Sequence, residues 1–228
     1  MIRSLMFLLA LLCSEMLYAQ SYRIQKQEIG FGIQAKAILS RMEIVSGLED
    51  FKSDGYKAGM HFGAFIRLRS ANFLFQPEVS YGTTCNTIYA EEFSGNEGVS
   101  IKFKMRSFQV PMLVGYGIDL GEEENKTIKV LVGPVFDFIT KHELSLNTER
   151  TNASPVALAT GAEEAFNEFG IGLRFGVGLD LDKLIIDAYY EHKLSKTFDT
   201  VLIDDAGAFE NRHHQWVLSV GLLLWKAN

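Results

Sequence analysis

Apolar and polar residues alternate along most of this chain with the period of a β-strand. The clearest stretch runs from Glu168 to Lys196. Between Phe169 and Leu181 every second residue is apolar: Phe169, Ile171, Leu173, Phe175, Val177, Leu179 and Leu181. Gly170, Gly172, Arg174, Gly176, Gly178 and Asp180 stand between them. A two-residue corner, Asp182-Lys183, follows, and Leu184, Ile186, Ala188 and Tyr190 then alternate with Ile185, Asp187, Tyr189 and Glu191. Successive side chains of a strand point to opposite faces. One face of this hairpin is therefore continuously apolar, and the other is small or charged. A soluble barrel keeps its apolar face inside, whereas a membrane barrel turns that face to lipid around a polar interior.

The same alternation predicts six further strands, at about 28–39, 58–69, 73–84, 108–118, 128–138 and 215–224. With the hairpin the total is even, as single-chain bacterial barrels require. Spans such as 28–39 exceed the roughly five or six residues usual in globular sheets and suffice for the roughly nine to eleven tilted residues that cross a bilayer. Short connections (70–72, 119–126, 182–183) alternate with long loops at 40–57, 85–104, 141–167 and 195–213. That rhythm is the one outer-membrane barrels show, with the short turns in the periplasm and the long loops outside. A short helix is expected in the Ala-rich part of the third loop, 156–166. Lipid leaves no water to satisfy a free strand edge, so the strands must close. The expected fold is all-β: an eight-stranded antiparallel up-and-down transmembrane β-barrel. Pro77, Pro111 and Pro134 are its weak points, because proline cannot donate to a ladder, and bulged or broken pairing is expected there.

Several runs resemble the outer-membrane β-barrel family often called PorT-like or "porin family". They are F-L-F-Q-P-E-V-S-Y-G (73–82), F-Q-V-P-M-L-V-G-Y-G (108–117), V-L-V-G-P-V-F-D (130–137) and F-G-I-G-L-R-F-G-V-G-L-D-L (169–181). The resemblance covers about 28–225 and implies the fold, with no shared catalytic set to carry over. The family's name member is an accessory factor of protein secretion. Two features depart from the pattern: the chain ends on Trp225-Lys226-Ala227-Asn228 rather than on an aromatic residue, and no segment is specific to the secretion factor.

The N-terminus reads as a cleaved secretory signal, residues 1–19, ahead of a barrel domain at 20–228. A basic Arg3, an apolar core over 5–12 and Leu17-Tyr18-Ala19 before Gln20 have that anatomy. A lipoprotein start at Cys13 is disfavoured by Leu12 before it. The mature chain then keeps only Cys85, so no intramolecular disulfide forms. Export and alternation together place the protein in the outer membrane of a Gram-negative cell. The net charge of −6 argues against nucleic acid, which calls for a basic stripe. Membrane lipid is the expected surrounding, a protein at the outer loops the candidate partner, and a monomer the expected state.

Candidate chemistry falls mainly on the inward faces. The inward cations are Lys36, Arg67, Arg69, Lys129, Arg174 and Lys193; the inward anions are Glu78, Asp137, Asp180, Asp187 and Glu191. Such a set serves either as an ion or proton path or as a paired network filling the lumen. Eight strands leave an interior just wide enough for side chains, and near-balanced charge favours pairing, so the filled lumen is the expectation. The adjacent His213 and His214 point to opposite faces and make no chelate by themselves. The glycines of 170–178 lie inside a strand rather than at a strand-to-helix turn, so they form no phosphate loop. Their role is to leave room around Arg174. A hydrolase on the outer wall needs a serine and a histidine in reach of each other. His192 and Thr83 are the outward candidates, and neither suggests a nucleophile. Tyr81, Tyr116, Phe138, Phe169, Trp216 and Trp225 lie near strand ends, as interfacial girdles do. No catalytic residue, cofactor or metal is expected. The function expected is structural or interaction-based and non-enzymatic, with a narrow porin, a secretion accessory and a lipid hydrolase as alternatives.

Overall fold

The computed structural model describes residues 27–46, 51–93, 96–120, 126–147, 167–195, 201–203 and 207–227. The signal segment and the expected helix at 156–166 lie outside the described residues. In chain order the strands are β1 (Gln27–Ser46), β2 (Phe51–Ser53), β3 (Lys57–Ser70), β4 (Phe73–Phe93) and β5 (Asn96–Asp119). They continue with β6 (Lys126–Asn147), β7 (Phe169–Leu181), β8 (Leu184–Lys193), β9 (Val201–Ile203) and β10 (Gly207–Ala227). The order β1-β3-β4-β5-β6-β7-β8-β10 is antiparallel throughout, and β10 pairs back onto β1. The eight long strands thus close into a ring. The short β2 and β9 lie outside it, on β4 and β10.

The register fixes the shape of that ring. From Leu39 the cross-strand partners run through Trp216, Tyr190, Phe175, Val132, Val114, Phe75 and Leu68, and return to β1 at Ile29. One circuit therefore climbs ten residues along β1. Ten residues at ~3.3 Å rise, spread over eight strands ~4.8 Å apart, give a tilt of roughly 40°, within the usual barrel range. Every residue on this circuit is aliphatic or aromatic and points away from the axis, each more than a third exposed except the half-buried Tyr190. Aromatic residues mark both margins of the outward apolar band. Tyr81, Phe108, Phe138 and Phe169 are consecutive cross-strand partners at one margin. Phe73 meets Tyr116 edge-on at the other.

At each proline the pairing is interrupted but the register holds. The gaps fall between Phe65 and Leu68 on β3, Pro77 and Ser80 on β4, and Pro111 and Val114 on β5. Of the two outcomes expected there, broken pairing is the one found, without a bulge. Register shifts occur instead at Phe31/Gly32, Ile44/Ser46 and Arg106/Ser107. The first of these leaves Leu224 without a cross-strand partner on β1 and sets Trp225 opposite Phe31, exposed on the wall. An aromatic residue thus reaches the margin although the chain runs three residues further.

The long loops differ from expectation. The described residues of 85–104 are all strand, since β4 and β5 stay paired from Cys85–Lys104 to Phe93–Asn96. β1 continues to Ser46, β6 to Asn147, and β10 begins at Gly207. Continued pairing satisfies backbone groups that a loop would leave to water, and it buries a second set of apolar residues. On β5 the outward residues below Ser107 are Phe108, Val110, Met112, Val114, Tyr116 and Ile118. Above it Lys102, Lys104 and Arg106 point out, while Ile101, Phe103 and Met105 are buried inside. The polarity of the wall reverses at that level. β6 changes phase there as well: Thr140 is skipped between the pairs Ile139↔Ser107 and Lys141↔Arg106, and its hydroxyl donates to Arg106 O.

Candidate functional site

The barrel lumen gathers the charged residues. Glu78 on β4 is its hub. One oxygen accepts from Lys36 Nζ at 2.7 Å and Gln34 Nε2 at 3.0 Å, and the other accepts from Gln76 Nε2 at 2.7 Å. Arg174 Nη1 stands 3.8 Å away. Arg174 and Glu191 are cross-strand partners on β7 and β8, which is why their side chains meet. Arg174 donates through Nε and Nη2 to Glu191 Oε2, at 3.0 and 2.6 Å, and through Nη2 to Gln109 Oε1 at 3.1 Å. Its guanidinium also lies 5.4 Å from the Tyr189 ring centroid.

Towards the short-turn end, Lys129 bridges Asp180 at 2.7 Å and Asp187 at 2.9 Å. Arg67 donates to Asp180 at 2.7 Å and, with a second arm, to Gln76 Oε1. Tyr189 donates to Asp187 at 2.9 Å. Gly178 sits in register between Lys129 and Asp187, and a Cβ there would collide with Asp187 Oδ1 and Lys129 Cε. Its absence lets the ion pair form. At the two rims Arg69 forks onto Asp119, both contacts 2.7 Å, and Lys193 pairs with Asp137.

Ten of the eleven inward charges expected from the sequence lie in one network, while Arg69 stands apart at the rim. The network runs from Asp187 through Lys129, Asp180, Arg67, Gln76, Glu78, Arg174, Gln109 and Asp137 to Lys193. Asp119, which the sequence places in an acidic turn, pairs with Arg69 and Thr127 outside that network. Extending the alternation of inward β5 positions past Gly117 would have found it. With Asp119 the six cations face six carboxylates. Buried charges persist when so paired. Ile38, Leu113, Leu131, Tyr189 and Val217 form an apolar layer across the same interior. Cavities beside Ser107 and His213, and beside Arg67 and Arg69, measure about 20 and 40 Å³, room for a few ordered waters rather than a solute. Guanidinium groups do not give up protons in proteins, so Arg67 and Arg174 interrupt any proton relay along the network.

The histidines separate as their adjacency implies. His213 points in, where its Nε2 meets Ser40 Oγ at 2.7 Å and Asn86 Nδ2 at 2.8 Å; His214 points out. Ser40 and His213 are fully enclosed, and the serine and the amide share one ring nitrogen. A hydrolytic triad sets its orienting group on the far nitrogen and leaves the serine open to substrate. His192 and Thr83 lie on β8 and β4, which are not neighbours in the ring. Among the described residues no group of three or more His, Cys, Asp or Glu gathers as a metal site.

Above the lumen the extension has a different interior. Met42, Ile88, Ile101, Phe103 and Met105 are buried within it, and its outer face presents Lys102, Lys104 and Lys141 to solvent.

Residues 18–199 match the family described as "Outer membrane protein beta-barrel domain". The chain belongs to this outer-membrane β-barrel family. The apolar wall of the barrel accordingly faces lipid of the outer membrane. Among solved structures, the chain is similar to the outer membrane protein OprG from Pseudomonas aeruginosa, with 12% identity over 90% of this chain and all of that one and a TM-score of 0.46. It is similar also to Neisserial surface protein A (14% identity, 86% and 97% covered, TM-score 0.39) and to Ail of Yersinia pestis (15%, 88% and 100%, TM-score 0.28). No curated protein sequence matches.

Proposed function

We propose that this outer-membrane barrel is a non-enzymatic structural or interaction protein. Its lumen is a plug, and its extended strands are the surface offered to partners outside the cell. The observation that carries the reading is the network of ion pairs and hydrogen bonds across the lumen, beside which the cavities at Ser107 and at Arg67 have room only for waters. An eight-stranded barrel filled in this way has no channel to gate. The three short turns face the periplasm and the extended end faces outside, as in other barrels of this class. A cleaved signal at 1–19 delivers the chain in a Gram-negative cell, and the monomer is the working unit. The finer PorT-like kinship rests on the runs at 73–82, 108–117, 130–137 and 169–181.

The test is conductance of the purified monomer in planar bilayers. A flat current across the voltage range is expected, and steady open-channel steps would overturn the reading in favour of a narrow porin. A secretion accessory would instead show as loss of exported proteins from a deletion strain, and a lipid hydrolase as a change in lipid A mass in that strain.

A further inference from the structure

Among the described residues the outer wall carries a polar cluster that the lumen network leaves unexplained. His192 on β8 and His214 on β10 are direct cross-strand partners, and both point out of the barrel, half-buried. Their Nδ1 atoms are 3.2 Å apart and their ring centroids 4.9 Å. Tyr190, two residues before His192 on the same face, sets its hydroxyl 2.7 Å from that same His214 Nδ1. Trp216 packs edge-on against Tyr190, with centroids 5.0 Å apart, and closes the cluster on the membrane side.

Two polar atoms converge on His214 Nδ1, and a neutral imidazole nitrogen either donates one proton or accepts at one lone pair. Tyr190 and His192 therefore compete for one position. A cation placed among the three atoms removes the competition, because each then supplies a lone pair to it. Imidazole suits zinc, copper and nickel, whereas magnesium and calcium require carboxylate and carbonyl oxygens that this cluster lacks. Zinc–nitrogen bonds of about 2.0–2.1 Å in tetrahedral geometry set adjacent ligand atoms roughly 3.3 Å apart. The Nδ1–Nδ1 separation of 3.2 Å matches that spacing, while the Tyr190 hydroxyl, 2.7 Å from His214 Nδ1, moves out by roughly half an ångström to join the same tetrahedron.

We propose that His192 and His214, with Tyr190 as third ligand, form a binding site for a divalent transition cation on the outer wall of the barrel. The site lies one step beyond the Leu39–Trp216–Tyr190 row, at the margin of the apolar band, so the cation enters from water at the extended end. Arg41, the partner of His214 on β1, adds a positive charge at the same level and keeps the affinity below that of a closed structural site.

The test uses untagged, full-length mature protein folded in detergent micelles, with folding of every sample checked by heat-dependent gel mobility. Titration with zinc chloride by calorimetry should show one ion per chain. His192→Asn and His214→Asn should each weaken binding by at least about ten-fold, the low end of what even outer-shell changes cost at metal sites. The wild-type protein loaded with one equivalent of copper(II) should show coupling to two imidazole nitrogens by electron paramagnetic resonance, a readout that stands even where a variant fails to fold. No uptake by the wild type, wild-type affinity in both folded variants, or copper coupled to fewer than two imidazoles would each overturn the site.

Discussion

The barrel has two storeys made from the same strands with opposite polarity. In the lower storey β5 turns Phe108, Val110, Met112, Val114, Tyr116 and Ile118 outwards and keeps Gln109, Gly115 and Gly117 inside. In the upper storey the same strand turns Lys102, Lys104 and Arg106 outwards and buries Ile101, Phe103 and Met105. β5 keeps one phase through the change, so only residue chemistry differs between them. The lesson concerns solvent. Below Ser107 the outside is lipid, and the apolar side chains belong there; above it the outside is water, and the hydrophobic effect moves them to the axis. The upper storey is built like a soluble barrel standing on a membrane one.

That contrast can be broken most severely from within the lower storey. Glu78→Ala leaves Lys36 and Arg174 facing a missing carboxylate, and removing one partner of a buried ion pair costs about 3–5 kcal/mol. Urea unfolding in lipid vesicles should show a loss of that size, larger than for any single apolar truncation above Ser107. Preserved stability would mean that lumen waters carry the charges.

Next comes the core of the upper storey. Phe103 is almost fully enclosed, and Phe103→Ala should cost about 3 kcal/mol through lost burial and a residual cavity. Hydrogen exchange should place that loss locally, with faster exchange in β4 and β5 beyond Cys85 and unchanged protection in 108–118. A uniform rise in exchange would show instead that the two storeys unfold as one unit.

The smallest effects come from a matched pair on the outer wall. Val114→Lys puts a charge against mid-bilayer lipid and should cost about 2–3 kcal/mol. Lys104→Val, on the same face of the same strand, should change stability by less than about 0.5 kcal/mol, as solvent-exposed substitutions usually do. Equal costs for the two would erase the solvent boundary drawn at Ser107.

Much of the lower storey was legible from the chain. A period-two pattern with an apolar face and a charged face admits few readings, and the inward cations and carboxylates follow from the alternation itself. The upper storey was not read because its outward residues are polar: Lys102 and Lys104 looked like loop, although Ile101, Phe103 and Met105 alternate with them as regularly as the residues below. The prolines were legible too: Pro77, Pro111 and Pro134 interrupt hydrogen bonds as expected, and they do so without shifting the register.

What the sequence determined by itself is which way each side chain points, because that depends only on local strand geometry. What only the tertiary structure decided is who meets whom across the wall and through the lumen. The ten-residue climb around the ring brings Glu78 to Lys36 and Arg174, and it sets His192 beside His214 while leaving Thr83 far from both. Those encounters depend on ring closure and stagger, which arise from pairing between strands distant in the chain, and no stretch of alternation contains them.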